Sequence, residues 1–570
     1  MGLRERILAG RGVQPPELVL KRGRVVNVFT NEVHPADVAI QDGHVVGLGE
    51  YSGPNELDLG GAYVLPGLID GHLHIESTML APGEFARAVV PRGVTGVVVD
   101  PHEIANVLGV EGIRLLLAAS AELPLDIWVN VSSCVPASSM ETSGHVLEAR
   151  DMAPLLGLDH VVGIAEVMNF PGVLNADPGV LAKLELGLAT GVPIDGHAPG
   201  VRGRDLCGYL AAGIESDHET TGAEEAEEKL RLGMWLMVRQ GSTEHNLAEL
   251  LPVVRRFRAR RAMLVTDDRT PTDLRDEGHL DHALRLAIAE GIDPVWAVAM
   301  ATINPAERFG LKRLGAVGPG YLADLMVVPD LQDCRAELVL KRGRVVARDG
   351  AALFDAPPFD YTPARDRVHI APLDRASFRL PATGGRCRAI GLVPGQIVTE
   401  HLVVEPTVWN GEIVADPDRD LVKYAVIERH RATGNVGVGL VKGFGVRGGA
   451  LASSVAHDAH NIGVLGTNDE DMLRAVRAVV EQQGGLAVVA DGQVLAELPL
   501  PLAGLMSDLP FEEVARRSEA VDRAAAGLGC AVRHPFMVMS FLALSVIPSL
   551  KLTDQGLVDV DAWRLVPLKA

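Results

Sequence analysis

The 570-residue sequence predicts an α/β fold in which a (β/α)8 barrel is inserted in a small β-sandwich domain and followed by a C-terminal α+β domain. Three observations predict it. The decapeptide E-L-V-L-K-R-G-R-V-V occurs at Glu17–Val26 and again, unchanged, at Glu337–Val346. Each copy alternates apolar and polar residues around Gly23 or Gly343, the pattern of a half-buried β-hairpin. A repeat this widely spaced is not a solenoid. Hairpins flanking a long segment instead describe one small β-domain assembled from both sides of an insertion. Between the copies, β-branched runs at Val94–Val99, Val161–Ala165 and Met263–Thr266 alternate with helical stretches at Glu224–Leu232 and Asp281–Glu290. That is the rhythm of parallel β/α units. After Pro357 and Pro358 the chain turns to Gly-rich strands and two amphipathic helices, around Asp471–Gln482 and Phe511–Ala526. The expected units are residues 1–65 with 311–362, 66–310, and 363–570.

Bulk properties narrow the function. The 53 basic against 74 acidic side chains give a formal charge of -21, which disfavours nucleic acid and anionic membranes as partners and leaves a small molecule open. Five cysteines lie scattered without C-x-x-C spacing, so neither a disulfide framework nor a zinc knuckle is expected. Arg4, Glu5 and Arg6 are not followed by the apolar stretch of a signal peptide, and a cytoplasmic location is expected. The most apolar stretch, Phe536–Leu550, contains Ser540, Ser545 and Pro548 and is shorter than the roughly 20 residues of a membrane helix; it reads as core. The acidic run Glu224, Glu225, Glu227 and Glu228 reads as a solvated helix face without chemistry.

The candidate chemistry starts where an apolar strand, V-L-P-G-L-I-D-G-H-L-H, runs into His72 and His74. Residues two apart on a strand face the same side, so both imidazoles can reach one ion. Further donors follow apolar or turn-bounded segments: Glu166 in G-I-A-E, His197 in I-D-G-H, His218 in E-S-D-H, Asp267 and Asp268 in L-V-T-D-D. Barrel enzymes draw their active residues from the C-terminal ends of several strands, which accounts for this dispersal. Four imidazoles and two carboxylates would hold two divalent metal ions with Glu166 between them. Nitrogen and oxygen donors without thiolate suit Mn, Fe or Zn.

These motifs carry a resemblance. P-G-L-I-D-G-H-L-H and G-Y-L-A-D-L-M-V-V (Gly320–Val328) resemble the amidohydrolase superfamily, and H-I-E-S at His74, D-P-H-E-I-A-N-V from Asp100, A-E-V-M-N from Ala165 and T-D-D-R from Thr266 resemble its bacterial adenine deaminases. The likeness continues through G-L-V-K-G-F-G from Gly439, S-S-V-A-H-D-A-H-N from Ser453, G-T-N-D-E-D-M from Gly466 and H-P-F-M from His534. Many superfamily members place a carbamylated lysine where this chain has Glu166, and the carboxylate resembles the adenine deaminase pattern. The H-x-E with P-C-x-x-C signature of other zinc deaminases is absent.

The resemblance implies hydrolytic deamination of adenine to hypoxanthine and ammonia by a metal-activated hydroxide, as in purine salvage, with Mn or Fe favoured, in a homo-oligomer. In this reading Asp267 is both ligand and base. Glu219, beside His218, either delivers the second proton or serves as an N-cap or surface acid. Asp268 points away from Asp267. His102, Glu103 and Asn169, with Asp268, are candidates for the pocket mouth and its contacts to the purine. His457 and His460 form a lid, a further ion site or a tight hydrogen-bonded loop. The rival readings are another amidohydrolase activity, such as cyclic amide hydrolysis or deacetylation, and an inactive scaffold.

Overall fold

A computed structural model describes residues 2–382 and 384–570. Strands from both sides of the barrel join in one nine-stranded sheet, with Tyr63–Pro66 antiparallel to Leu325–Val328 at the junction. The sheet curls back on itself: Val45 N donates to Tyr321 O at 2.9 Å, and Leu20, Val25, Val38, Leu325 and Leu340 share one apolar core. The inserted architecture expected from the repeat is therefore present.

The two identical decapeptides, however, do not fold alike. The second is a hairpin, Leu338–Lys341 pairing with Arg344–Arg348, and its turn places Arg342 and Gly343 at φ 48° and 74°, the left-handed pair that two-residue hairpins require. The first is not a hairpin. It is one strand, Leu18–Asn27, paired along Glu32–Gln41 and bulged between Leu20 and Gly23. The expectation fails because partners decide: an adjacent strand on each side holds residues 18–27 extended, and Arg22 alone turns left-handed, at φ 56°. Both copies keep one local device. Lys21 and the Arg22 amide grip Asp37, and Lys341 and the Arg342 amide grip Asp324.

The barrel follows without a spacer. Gly67 joins Tyr63–Pro66 to the first barrel strand, and a Cβ there would lie 2.3 Å from Thr95 Oγ1. Eight parallel strands succeed one another: β1 (Leu68–Leu73), β2 (Val94–Val99), β3 (Asp126–Val131), β4 (Val161–Val167), β5 (Ile194–Gly196), β6 (Ser216–Asp217), β7 (Trp235–Arg239) and β8 (Ala262–Val265). The ring closes through Glu215 N to Ile194 O, 3.1 Å, and through Asp267 N to His72 O, 3.1 Å. β1, β2 and β3 are buried along their whole length, as parallel strands covered on both faces must be.

The C-terminal unit is an eight-stranded sheet covered by helices Asp469–Glu481 and Phe511–Gly527. Asn468 caps the first of these, accepting from Asp471 N at 2.8 Å. Its apolar residues are continuous with the barrel core, Leu451 and Phe536 joining Val97 and Leu264 in one cluster. The Phe536–Leu550 stretch is buried, as expected of core.

Candidate functional site

The ends of β1, β4, β5, β6 and β8 bring His72, His74, Glu166, His197, His218 and Asp267 into one buried cluster. Glu166 lies at its centre. Its Oε1 faces His74 Nε2 at 3.4 Å, and its Oε2 faces His197 Nδ1 at 2.7 Å and His218 Nε2 at 3.1 Å. Asp267 Oδ1 lies 3.5 Å from His72 Nε2 and 3.2 Å from His74 Nε2. The rings of His72 and His218 stack at 4.0 Å.

Buried groups beneath the cluster hold it in place. Asp70 accepts from Thr266 Oγ1 (2.7 Å) and from the His72 amide (3.2 Å), tying β1 to the end of β8 directly under two of the donors. The Tyr209 hydroxyl donates to Val167 O (2.9 Å) and accepts from His197 N (3.0 Å), fixing β5 against β4. Asp217 accepts from Ala198 N (2.7 Å) and from Lys229 Nζ (3.0 Å). Lys229 also binds Glu225, which is buried. Glu225 thus departs from the solvated acidic face expected of its helix: its carboxylate turns inward because the buried lysine needs a counter-charge.

The donor set fits divalent cations. His74 Nδ1 donates to Asp100 O at 2.9 Å, so in a neutral ring Nε2 carries its lone pair and points at the oxygens of Glu166 and Asp267. Lone pair facing lone pair at 3.2–3.4 Å is repulsive unless a cation lies between. A carboxylate or carbonyl on the opposite nitrogen is the usual companion of a metal-ligating histidine. His72 Nε2, His197 Nε2 and His218 Nδ1 are buried without a hydrogen-bond partner. With no cation bound, protons carry the compensation. Burial would raise the Glu166 carboxyl, but His218 and His197 outweigh it and hold it well below the carboxylate range. At Asp267 burial is likewise outweighed, by His72, His74 and Arg239. Burial and His102 work to lower His74, yet Asp267 lifts it well above the ordinary imidazole value.

Arg239 is a residue that sequence reasoning missed. It closes β7, and its Nη1 reaches both Glu219 Oε1 and Asp267 Oδ2, the latter at 2.7 Å, while Nη2 reaches Glu219 Oε2 at 3.1 Å. The signal was a charged residue ending the apolar run W-L-M-V-R. Glu219 is buried in this pair and caps no helix. His102 lies 3.5 Å from Glu166 through Nδ1, and Glu103 accepts from Ser77 Oγ at 2.7 Å. Ser77 Oγ also contacts Asp268, which lines the cavity with Asp267. Asn169 is elsewhere: it accepts from Gly172 N at 2.9 Å and lines a neighbouring cavity with Ser133, Cys134 and Lys183. A residue just past a strand end is as readily taken by the next helix cap as by the pocket.

The imidazole cluster opens on a small cavity. Its far wall comes from the C-terminal unit: Ile397, His457, Asp458, Phe541 and Leu544. The His457–Asn461 loop is hydrogen-bonded, His460 N to Ala456 O at 2.7 Å, and also faces the cavity.

Residues 63–346 match the amidohydrolase family, and residues 396–564 match the adenine deaminase C-terminal domain. Adenine deaminase 2 of Carboxydothermus hydrogenoformans is 49% identical over 558 residues, covering 98% of each chain. The adenine deaminase of Desulfatibacillum aliphaticivorans is 48% identical over 565 residues, 99% of each. That of Methanothrix thermoacetophila is 48% identical over the full length of both. A barrel and a C-terminal sheet that close one cavity together, matched end to end at this level, leave one conclusion: the chain belongs to the adenine deaminase family of amidohydrolases.

Proposed function

We propose that this chain hydrolyses adenine to hypoxanthine and ammonia, and that His72, His74, Glu166, His197, His218 and Asp267 would hold two divalent ions. The observation that carries the reading is Glu166 set among the imidazoles of three strand ends, beneath a cavity whose far wall comes from the C-terminal unit. Ions held there would supply an acidified water at neutral pH, with a pKa of about 7. Asp267 takes a proton from the attacking water as carbon 6 becomes tetrahedral. Arg239 spans Asp267 and Glu219 and favours the ionised form of Asp267. Asp267 therefore enters the cycle as a base, and the water's two protons account for both transfers, one passing through Glu219 to the ring nitrogen and the other through Asp267 to the leaving amine. Asp268, which lines the cavity, offers acceptors to the purine edge. The phenyl ring of Phe541 and the side chains of Ile397 and Leu544 exclude water from the remaining wall.

Mn or Fe, with Zn compatible, a homo-oligomeric state, a cytoplasmic role in purine salvage and the three units drawn at 1–65 with 311–362, 66–310 and 363–570 complete the proposal. Metal-loaded protein mixed with adenine should shift the ultraviolet spectrum toward hypoxanthine and release one ammonia per base. Hydrolysis of a cyclic amide with adenine left unchanged would overturn the reading.

A further inference from the structure

Outside the six-residue cluster a second group of donors meets where the C-terminal unit touches the barrel. We propose that His102, His457 and Asp458 form a separate divalent-cation site that joins the C-terminal unit to the barrel.

The spacing argues for it. Asp458 Oδ1 lies 3.4 Å from His102 Nε2 and 3.4 Å from His457 Nδ1. A charged N–H···O bond would draw these atoms to about 2.7–2.9 Å. Two ligands each about 2.1 Å from a tetrahedral ion lie about 3.4 Å apart. One donor atom from each of the three residues falls within a common 4.8 Å. All three residues are buried, and both His102 Nε2 and Asp458 Oδ2 lack a hydrogen-bond partner.

His102 Nδ1 lies 3.1 Å from Asp100 Oδ2, and neither atom has a hydrogen-bond partner. Among the described residues the ion-pair partners of Asp458 are the two imidazoles alone. Glu103 and His460, 3.6 Å apart, lie against the same His457 with Glu103 Oε2 and His460 Nε2 unpartnered. An ion here neutralises acidic groups from both units and fixes the cavity wall. The expected count of three rests on the two-ion reading of the barrel cluster, whereas the loss of one ion on changing His457 and Asp458 does not.

Metal-stripped full-length protein equilibrated with Mn²⁺, desalted and counted by mass spectrometry should hold three ions per chain. The variant His457→Asn/Asp458→Asn should hold two and melt earlier; His74→Ala/His218→Ala, which dismantles the barrel cluster, should keep one. Circular dichroism checks that each variant is folded. Two ions or fewer in the unaltered chain would overturn the proposal, as would a folded His457→Asn/Asp458→Asn variant that holds as many ions as the parent or loses all of them. Calorimetric titration of Mn²⁺ into the unaltered chain decides the matter without a variant: a third binding event is expected, and its absence refutes the site.

Discussion

Replacing the lysine in each copy of the repeat should have very unequal effects, although the ten residues around it are identical. Lys341 Nζ is enclosed by Asp126 Oδ2 (2.7 Å), Asp324 Oδ2 (2.7 Å) and Thr95 O (2.8 Å), with 7% of its side chain exposed. Removing one partner of a buried ion pair costs about 3–5 kcal/mol, because the remaining charge stays buried and unpaired. Asp126 keeps one contact, to Arg342 Nη2 at 3.2 Å, which places Lys341→Met near the lower figure. With a urea slope of about 2–3 kcal/mol per M, a loss of about 3 kcal/mol moves the midpoint down by about 1–1.5 M. Lys21 binds Asp37 with 25% of its side chain exposed, and Asp37 retains the amides of Arg22 and Tyr51. Lys21→Met should therefore leave the midpoint indistinguishable from that of the parent. Urea unfolding followed by tryptophan fluorescence, to which Trp128 two residues from Asp126 contributes, measures both. A Lys341→Met shift no larger than that of Lys21→Met would refute the reasoning.

Three further outcomes are expected. Lys229→Met leaves Asp217 and Glu225 unpaired behind His197 and His218; it should lower both kcat and retained metal, and unchanged metal content would count against Asp217 as the group that holds this loop. Lys551 is buried against the carbonyls of Ile397 and Phe541, and burial pushes its ammonium down to about 7. Its unfolded value is about 10.4, so between about pH 7 and 10 the unfolded chain binds more protons and the contribution of Lys551 to stability rises with pH. The urea-midpoint difference between parent and Lys551→Met should therefore move in favour of the parent over that window, and a constant difference would be inconsistent with it. Removal of metal by chelation should abolish adenine turnover and lower the melting temperature, with Mn²⁺ restoring both; a stripped protein of full activity would contradict the assignment of the barrel cluster.

Much of the architecture was legible because it follows from short-range pattern. Val94–Val99 reads as a parallel strand since only a strand covered on both faces is apolar throughout. His72 and His74 could be paired because strand periodicity is local, and their companions followed because barrels gather strand ends on one face. Arg239 was not legible: a charged residue ending a strand looks like an exposed boundary until Glu219 and Asp267 are seen beside it. Asn169 failed for the opposite reason, its local hydrogen bond to Gly172 N competing successfully with the pocket. Glu225 shows that a helix face judged polar from composition can hold one inward carboxylate when a lysine is buried behind it.

By itself, then, the sequence determined the order of elements, the inserted barrel, and the residue types able to bind metal, all consequences of periodicity and of chemistry carried by single side chains. Only the tertiary structure decided which donors meet. It separated two copies of one decapeptide into a bulged strand and a hairpin, because backbone pairing depends on neighbours that the ten residues do not contain. It also set Asp458 against His102, more than 350 residues earlier in the chain. No local pattern records such a contact; it arises from the burial of one domain's apolar face on another.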